Sequence, residues 1–92
     1  MRRRKLDYTR DFLKELVSLP ARHFKQVVTK ALALTGEPFP PDSKALHGHE
    51  ALYRIDSGEY RIVYAVTEDT VQIIIVGKRN DDAVYRQLER KL

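Results

Sequence analysis

LYRIDSGEYRIVYAVTEDTVQIIIV, residues 52–76, carries the period of a β-meander. Tyr53 and Ile55 alternate with Arg54 and Asp56. Tyr60, Ile62, Tyr64 and Val66 alternate with Arg61, Val63 and Ala65, and Val71, Ile73 and Ile75 with Gln72, Ile74 and Val76. A period of two in β-branched and aromatic residues is the mark of half-buried strands. Asp56-Ser57-Gly58 and Glu68-Asp69 break it with turn residues, so three consecutive antiparallel strands are predicted. The third is apolar at both parities, which predicts an interior strand with helices over one face.

Upstream the period becomes helical. Thr9 is a good N-cap, Asp11 suits the positive end of the helix dipole, and Phe12, Leu13, Leu16, Val17 and Leu19 form one face. Pro20 ends this helix and opens a second, with Phe24, Val27, Val28, Ala31, Leu32 and Leu34 as its stripe and Gly36 as a left-handed C-cap. So short a turn predicts an antiparallel helical hairpin. Arg3–Tyr8 reads as a short strand before it. Residues 36–50 hold Gly36, Pro38, Pro40, Pro41 and Gly48 and are predicted to form a long connection without regular structure. Asp81 to Leu92 reads as a terminal helix with Val84, Leu88 and Leu92 as its thin apolar stripe. The fold class is α+β: a twisted antiparallel sheet, an N-terminal helical hairpin on one face and a short C-terminal helix, with residues 1–92 as one domain. The other face of the sheet is expected to stay polar, basic and accessible.

Ninety-two residues suffice for one modest core and not for two. A hydrophobic content of 42% against 33% charged residues excludes a disordered chain. The absence of cysteine excludes disulfides, thiolate metal sites and a cysteine nucleophile. No apolar run approaches the roughly 20 residues of a membrane span, and Arg2-Arg3-Arg4-Lys5 is not followed by the apolar stretch of a signal peptide. A cytoplasmic protein with no membrane partner is expected. A net charge of +4 favours an anionic partner.

The arginines are the first candidates for chemistry. Counting back from a turn at residues 57–58 sets Arg54 opposite Arg61, both on the face away from Tyr53, Tyr60 and Tyr64. Lys78 and Arg79 close the third strand. Three guanidinium groups on one surface suit a phosphodiester, because each presents paired donors in a fixed fork. They also suit solvated arginines paired with Asp56 or Glu59. Tyr85 lies close enough in sequence to stack on a base beside such a phosphate, or to pack as the staple of the last helix. His47-Gly48-His49 lacks a third ligand, so no metal site and no cofactor are expected. His47, His49 and Glu50 remain acid–base candidates, and His23 is expected at the surface. No phosphate-binding glycine loop, nucleophile elbow or metalloprotease helix pair occurs.

LHGHEALYRIDSGEYRIVY (46–64), VGKR (76–79) and VYR (84–86), in that order along the predicted elements, resemble the signature of the RelE/ParE toxin superfamily. The resemblance spans nearly the whole chain and is closest to the RelE branch. It implies a type II toxin that cleaves mRNA in the ribosomal A site without a metal. The message's own 2′-hydroxyl attacks the adjacent phosphate and leaves a 2′,3′-cyclic phosphate and a 5′-hydroxyl. By the same resemblance Arg61 and Arg79 hold the phosphate, Tyr85 stacks on or assists at the scissile nucleotide, and Arg54 takes a position where a lysine is frequent. Asp56 stands where RelE-type members often have a second lysine proposed for proton transfer. Arginine does not release its proton near neutral pH, so the base is open among Asp56, His47, His49, Glu50 and Lys78. Asp56 can instead simply pair with Arg54. Arg2, Arg3, Arg4, Lys5, Arg22, Lys25, Lys30, Lys44 and Lys78 are the expected RNA contacts. The implied partners are a cognate antitoxin, the ribosome with its mRNA and, only through the antitoxin, operator DNA. The antitoxin is expected over the hairpin and the sheet edge, displacing the tail helix. The alternatives are a ParE-like inhibitor of DNA gyrase that cleaves nothing and a plain nucleic-acid-binding domain.

Overall fold

A computed structural model of the chain describes residues 3–80 and 83–91. Strand β1 (Lys5–Tyr8) leads into helices α1 (Arg10–Val17) and α2 (Ala21–Gly36). Strand β2 (Lys44–Ala45), the meander β3 (Leu52–Ser57), β4 (Tyr60–Val66) and β5 (Thr70–Lys78), and helix α3 (Ala83–Lys91) follow. The five strands are ordered β1-β5-β4-β3-β2. The sheet is antiparallel except at one edge, where β1 runs parallel to β5. Parallel neighbours need a long crossover, and the helical hairpin with the intervening strands supplies it. The proline-rich connection holds one short element that its composition did not announce, because β2 pairs with Tyr53 and Arg54.

Thr9 ties the first helix to the sheet. Its hydroxyl accepts from the Phe12 N–H at 3.1 Å and donates to the Ile74 carbonyl at 2.5 Å, while its own N–H bonds to Ile73 O. Ile74 is the extra residue of a β-bulge: Val63 pairs with Ile75, but Tyr64 pairs with Ile73. The bulge reverses the parity of β5. Val71, Ile73 and Val76 face the hairpin, whereas Ile74 and Ile75 face the opposite side, so the strict alternation expected for this strand breaks at residue 74.

Two cores result. Phe12, Leu16, Val27, Ala31 and Leu34 of the hairpin pack on Ile55, Ile62, Tyr64, Val71, Ile73 and Val76. On the far side Val84 and Leu88 of α3 close over Leu46, Val63 and Ile75. The expectation of an open, polar second face is corrected accordingly: α3 and the loop at Leu46 cover part of it with apolar side chains. Asp81, Asp82 and Leu92 of the expected tail helix lie outside the described residues. Phe24 (39% exposed) and Leu32 (50%) of the expected α2 stripe fall outside the seam. Gly36 is the last residue of α2 and not a left-handed cap; the following Glu37 N–H bonds to Ala33 O.

Thr9→Ala removes a cap and leaves the bulged Ile74 carbonyl without its partner. A cost of about 1–2 kcal/mol is expected, enough to lower Tm by several degrees in a domain this size. Thr9→Ser keeps both bonds and should retain most of the stability. Thermal unfolding followed by circular dichroism checks this; an unchanged Tm in Thr9→Ala contradicts the account of the bulge.

Candidate phosphate-binding site

The site grows out of the turn between β3 and β4. Ser57 pairs with Tyr60, which leaves Gly58 and Glu59 as a two-residue loop. Gly58 has φ +60° at the first loop position, the place a type II′ turn reserves for glycine. This register sets Asp56 opposite Arg61 and Arg54 opposite Val63. The expected Arg54–Arg61 pairing is corrected by two residues, because the loop lies one residue further along than residues 57–58. A shift of two preserves parity, so Arg54 and Arg61 still share the face away from Tyr53, Tyr60 and Tyr64.

Asp56 is the centre of the cluster. Arg61 Nε donates to Asp56 Oδ1 at 2.8 Å and Arg61 Nη2 to Oδ2 at 3.5 Å. Arg79 Nη1 reaches the same Oδ2 at 3.4 Å, and the Arg79 N–H is anchored on Glu59 O at 3.1 Å. The third nitrogen of Arg61, Nη1, donates to Tyr85 Oη at 3.1 Å. The Tyr85 ring packs on the α3-side core while its hydroxyl touches an arginine of the cluster. The acid at position 56 pairs with Arg61 and Arg79, not with Arg54. The Arg61 hydrogen bond holds the Asp56 carboxyl below the usual carboxylate range against the opposing effect of partial burial, and Asp56 in turn raises Arg61. Side-chain exposure grades outward, from 17% at Arg61 through 34% at Asp56 to 52% at Arg79.

The other predicted residues divide by position. Lys44 stands directly across from Arg54 on the same face, and neither has a carboxylate partner among the described residues. Lys78 pairs with Tyr60 and so belongs by register to the hairpin side of the sheet, away from Asp56. His47, His49 and Glu50 precede β3, whose rise from Leu52 puts them about 13 Å or more along the strand from Asp56. Arg3 and Arg4 are bound to Thr35 Oγ1 and Thr67 O. Lys5 pairs with Thr70, at the opposite end of β5 from Lys78 and Arg79. The basic N-terminal segment thus does not flank the arginine cluster, and Arg2 lies outside the described residues. Arg22 and Lys25 are exposed on the first half of α2, whose His23 meets Glu59 at 3.5 Å and the Tyr60 ring edge-on at 5.0 Å. His23 is accordingly not a surface residue: its side chain is 12% exposed and its Nδ1 is buried without a hydrogen-bond partner among the described residues. Lys25 and Lys30 line a groove between α2 and Asp56–Gly58, and Lys30 pairs with Asp42 at 3.4 Å. Among the described residues no group of histidines and acids is arranged to hold a metal ion, and no helix is long and apolar enough to cross a membrane.

Arginines at a hairpin end, a tyrosine returning from a terminal helix and a meander over a helical hairpin are the arrangement that the sequence resemblance implies. Residues 6–83 match the family described as the ParE toxin of the type II toxin–antitoxin system parDE. The chain belongs to this toxin family. Among solved structures, free Escherichia coli RelE carrying two arginine-to-alanine changes superposes with a TM-score of 0.78 at 29% identity, over 99% of this chain and 100% of that one. The toxin is also similar to a chain of the intact E. coli RelBE toxin–antitoxin complex (TM-score 0.72, 31% identity, 84% of this chain and 98% of that one). A chain of the RelBE complex from Mycobacterium tuberculosis gives 0.73 at 28% identity, covering 85% and 100%. No curated protein matches the toxin.

Sequence reasoning offered Asp56 as a carboxylate partner of the arginines but missed its place directly opposite Arg61, and the signal was available: a glycine at the first position of a two-residue turn places 56 opposite 61. The lowered Asp56 pKa has a definite sign. Its contribution to stability is fully present above the ordinary carboxylate range and is lost as pH falls through the depressed folded value. The stability difference between wild type and Asp56→Asn should therefore stay constant from pH 7 to pH 5 and shrink below about pH 4. Urea unfolding across that range measures it, and a difference that already collapses between pH 7 and 5 contradicts the assignment.

Proposed function

We propose that the toxin is a ribosome-dependent endoribonuclease that cuts mRNA in the ribosomal A site and is neutralised by a cognate antitoxin. The observation that carries the reading is the convergence of Arg61, Arg79 and Tyr85 at one hairpin end, beside the Lys44–Arg54 pair. Among the described residues four cations face one carboxylate there, a surplus that suits a polyanion running across the sheet. The similarity to RelE toxins supports the same reading. Structures of relatives joined to antitoxins, and the exposed Leu13, Val17 and Leu32 of the hairpin, support an amphipathic antitoxin segment as partner.

In this mechanism Arg61 and Arg79 neutralise the phosphate as negative charge accumulates on its equatorial oxygens. Tyr85 presents an aromatic edge and a hydroxyl beside the same phosphate. Proton transfer is the weak point of the site. Asp56 is held ionised by two arginines and is therefore a poor base, Lys78 is on the other side of the sheet by register, and His47 and His49 are at the far end of β3. The toxin supplies charge, and the decoding site supplies the in-line geometry of the 2′-hydroxyl, an effect that can be worth about 7–11 kcal/mol.

Purified toxin incubated with one message, naked or on a programmed ribosome, tests the division. Cleavage on the ribosome is expected to be at least about 100-fold faster, and Arg61→Ala is expected to slow it by about 10²–10³-fold. Equal rates in the two samples would contradict ribosome dependence. Intact message accompanied by double-strand DNA breaks in expressing cells would point to gyrase instead.

A further inference from the structure

We propose that Asp56 is an internal competitor for the substrate anion: its carboxylate fills the arginine fork that a phosphate must enter, and so sets which phosphates the site accepts. The proposal deepens the nuclease reading and rests on it only for the kind of phosphate concerned. All three nitrogens of Arg61 are committed in the free toxin, Nε and Nη2 to Asp56 and Nη1 to Tyr85. Arg79 Nη1 points at the same carboxylate. A phosphate presents the same pair of oxygens to a guanidinium as a carboxylate does. It cannot bind Arg61 through two bonds while Asp56 remains in place.

The competitor is displaceable. Asp56 is carried by a strand whose backbone is fixed by pairing with β4, so only its side chain moves. That side chain is 34% exposed, so its carboxylate can turn out into solvent without being left buried and unpaired. Water-borne phosphates meet an arginine pair whose charge Asp56 already offsets in part. A phosphodiester positioned by other contacts, such as those available from Arg54 and Lys44 two residues along β3, brings enough additional attraction to expel the carboxylate. Asp56 thus acts as a specificity-determining residue that favours an oriented polyanion over a free one.

The test is titration of the full-length toxin and of Asp56→Asn with inorganic phosphate, read by isothermal calorimetry and by the Arg61 Nε–H resonance in NMR spectra. The variant should bind phosphate on the order of tenfold more tightly, about the effect of one removed charge at this range in a half-exposed site. In wild type, saturating phosphate should shift the Arg61 Nε–H signal as its bond to Asp56 breaks. Equal or weaker binding by a folded Asp56→Asn overturns the proposal, because it makes Asp56 an organiser of the arginines and not a competitor. Should the variant fail to fold, the wild-type spectrum decides: an Arg61 signal unmoved at saturation overturns the proposal, and a shifted one supports it. RNA cleavage assayed alongside separates the two ideas. A gain in phosphate affinity without any RNA cleavage leaves this inference standing and removes the nuclease reading.

Discussion

The two-residue turn at Gly58-Glu59 is the constraint on which the site depends. It sets the β3–β4 register, and register in a sheet with both faces occupied is all or nothing. A slip of one residue would carry Arg61 into the hairpin core beside Leu34 and Val27 and push Ile62 toward α3. Glycine suits position 58 mainly through its backbone. Its φ is positive, and a Cβ there would stand 3.0 Å from Gln26 Oε1 of α2. The same turn offers the Glu59 carboxylate to His23 and the Glu59 carbonyl to Arg79, so one loop fastens a helix on one side and a site residue on the other.

Much of this was legible in the residues. The meander from Leu52 to Val76, the Thr9 cap, the buried Val27, Ala31 and Leu34, and the common face of Arg54 and Arg61 all follow from period and propensity. What was not legible depended on pairing across distance. The parallel return of β1 beside β5 has no local signature. The bulge at Ile74 is invisible in a run of three isoleucines, where every residue is apolar and parity carries no information. The cover over the second face could not be weighed from Val84 and Leu88 alone, because a thin stripe becomes a core only when Leu46, Val63 and Ile75 are there to meet it. Asp56 was read both as a partner for the arginines and as a departure from a family pattern; its position opposite Arg61, which makes it the hub of the cluster, depended on the turn register.

The α3 cover and the arginine cluster are parts of one arrangement. Tyr85 belongs to both, since its ring helps to close the second core and its hydroxyl takes the last free nitrogen of Arg61. Lifting α3 from the sheet would therefore withdraw Tyr85 from Arg61 as well as expose Val63 and Ile75. Charge and packing are coupled here through a single side chain.

The central claim is that this arginine cluster promotes attack by a message's own 2′-hydroxyl. The most direct measurement is end-group analysis of RNA fragments made by the toxin on ribosomes, by mass spectrometry, with a matched message carrying one 2′-deoxynucleotide on the 5′ side of the cleaved bond. The account predicts 2′,3′-cyclic phosphate and 5′-hydroxyl ends, and no cleavage at the deoxy position. Fragments with 5′-phosphate ends, or undiminished cleavage at the deoxy position, would contradict it.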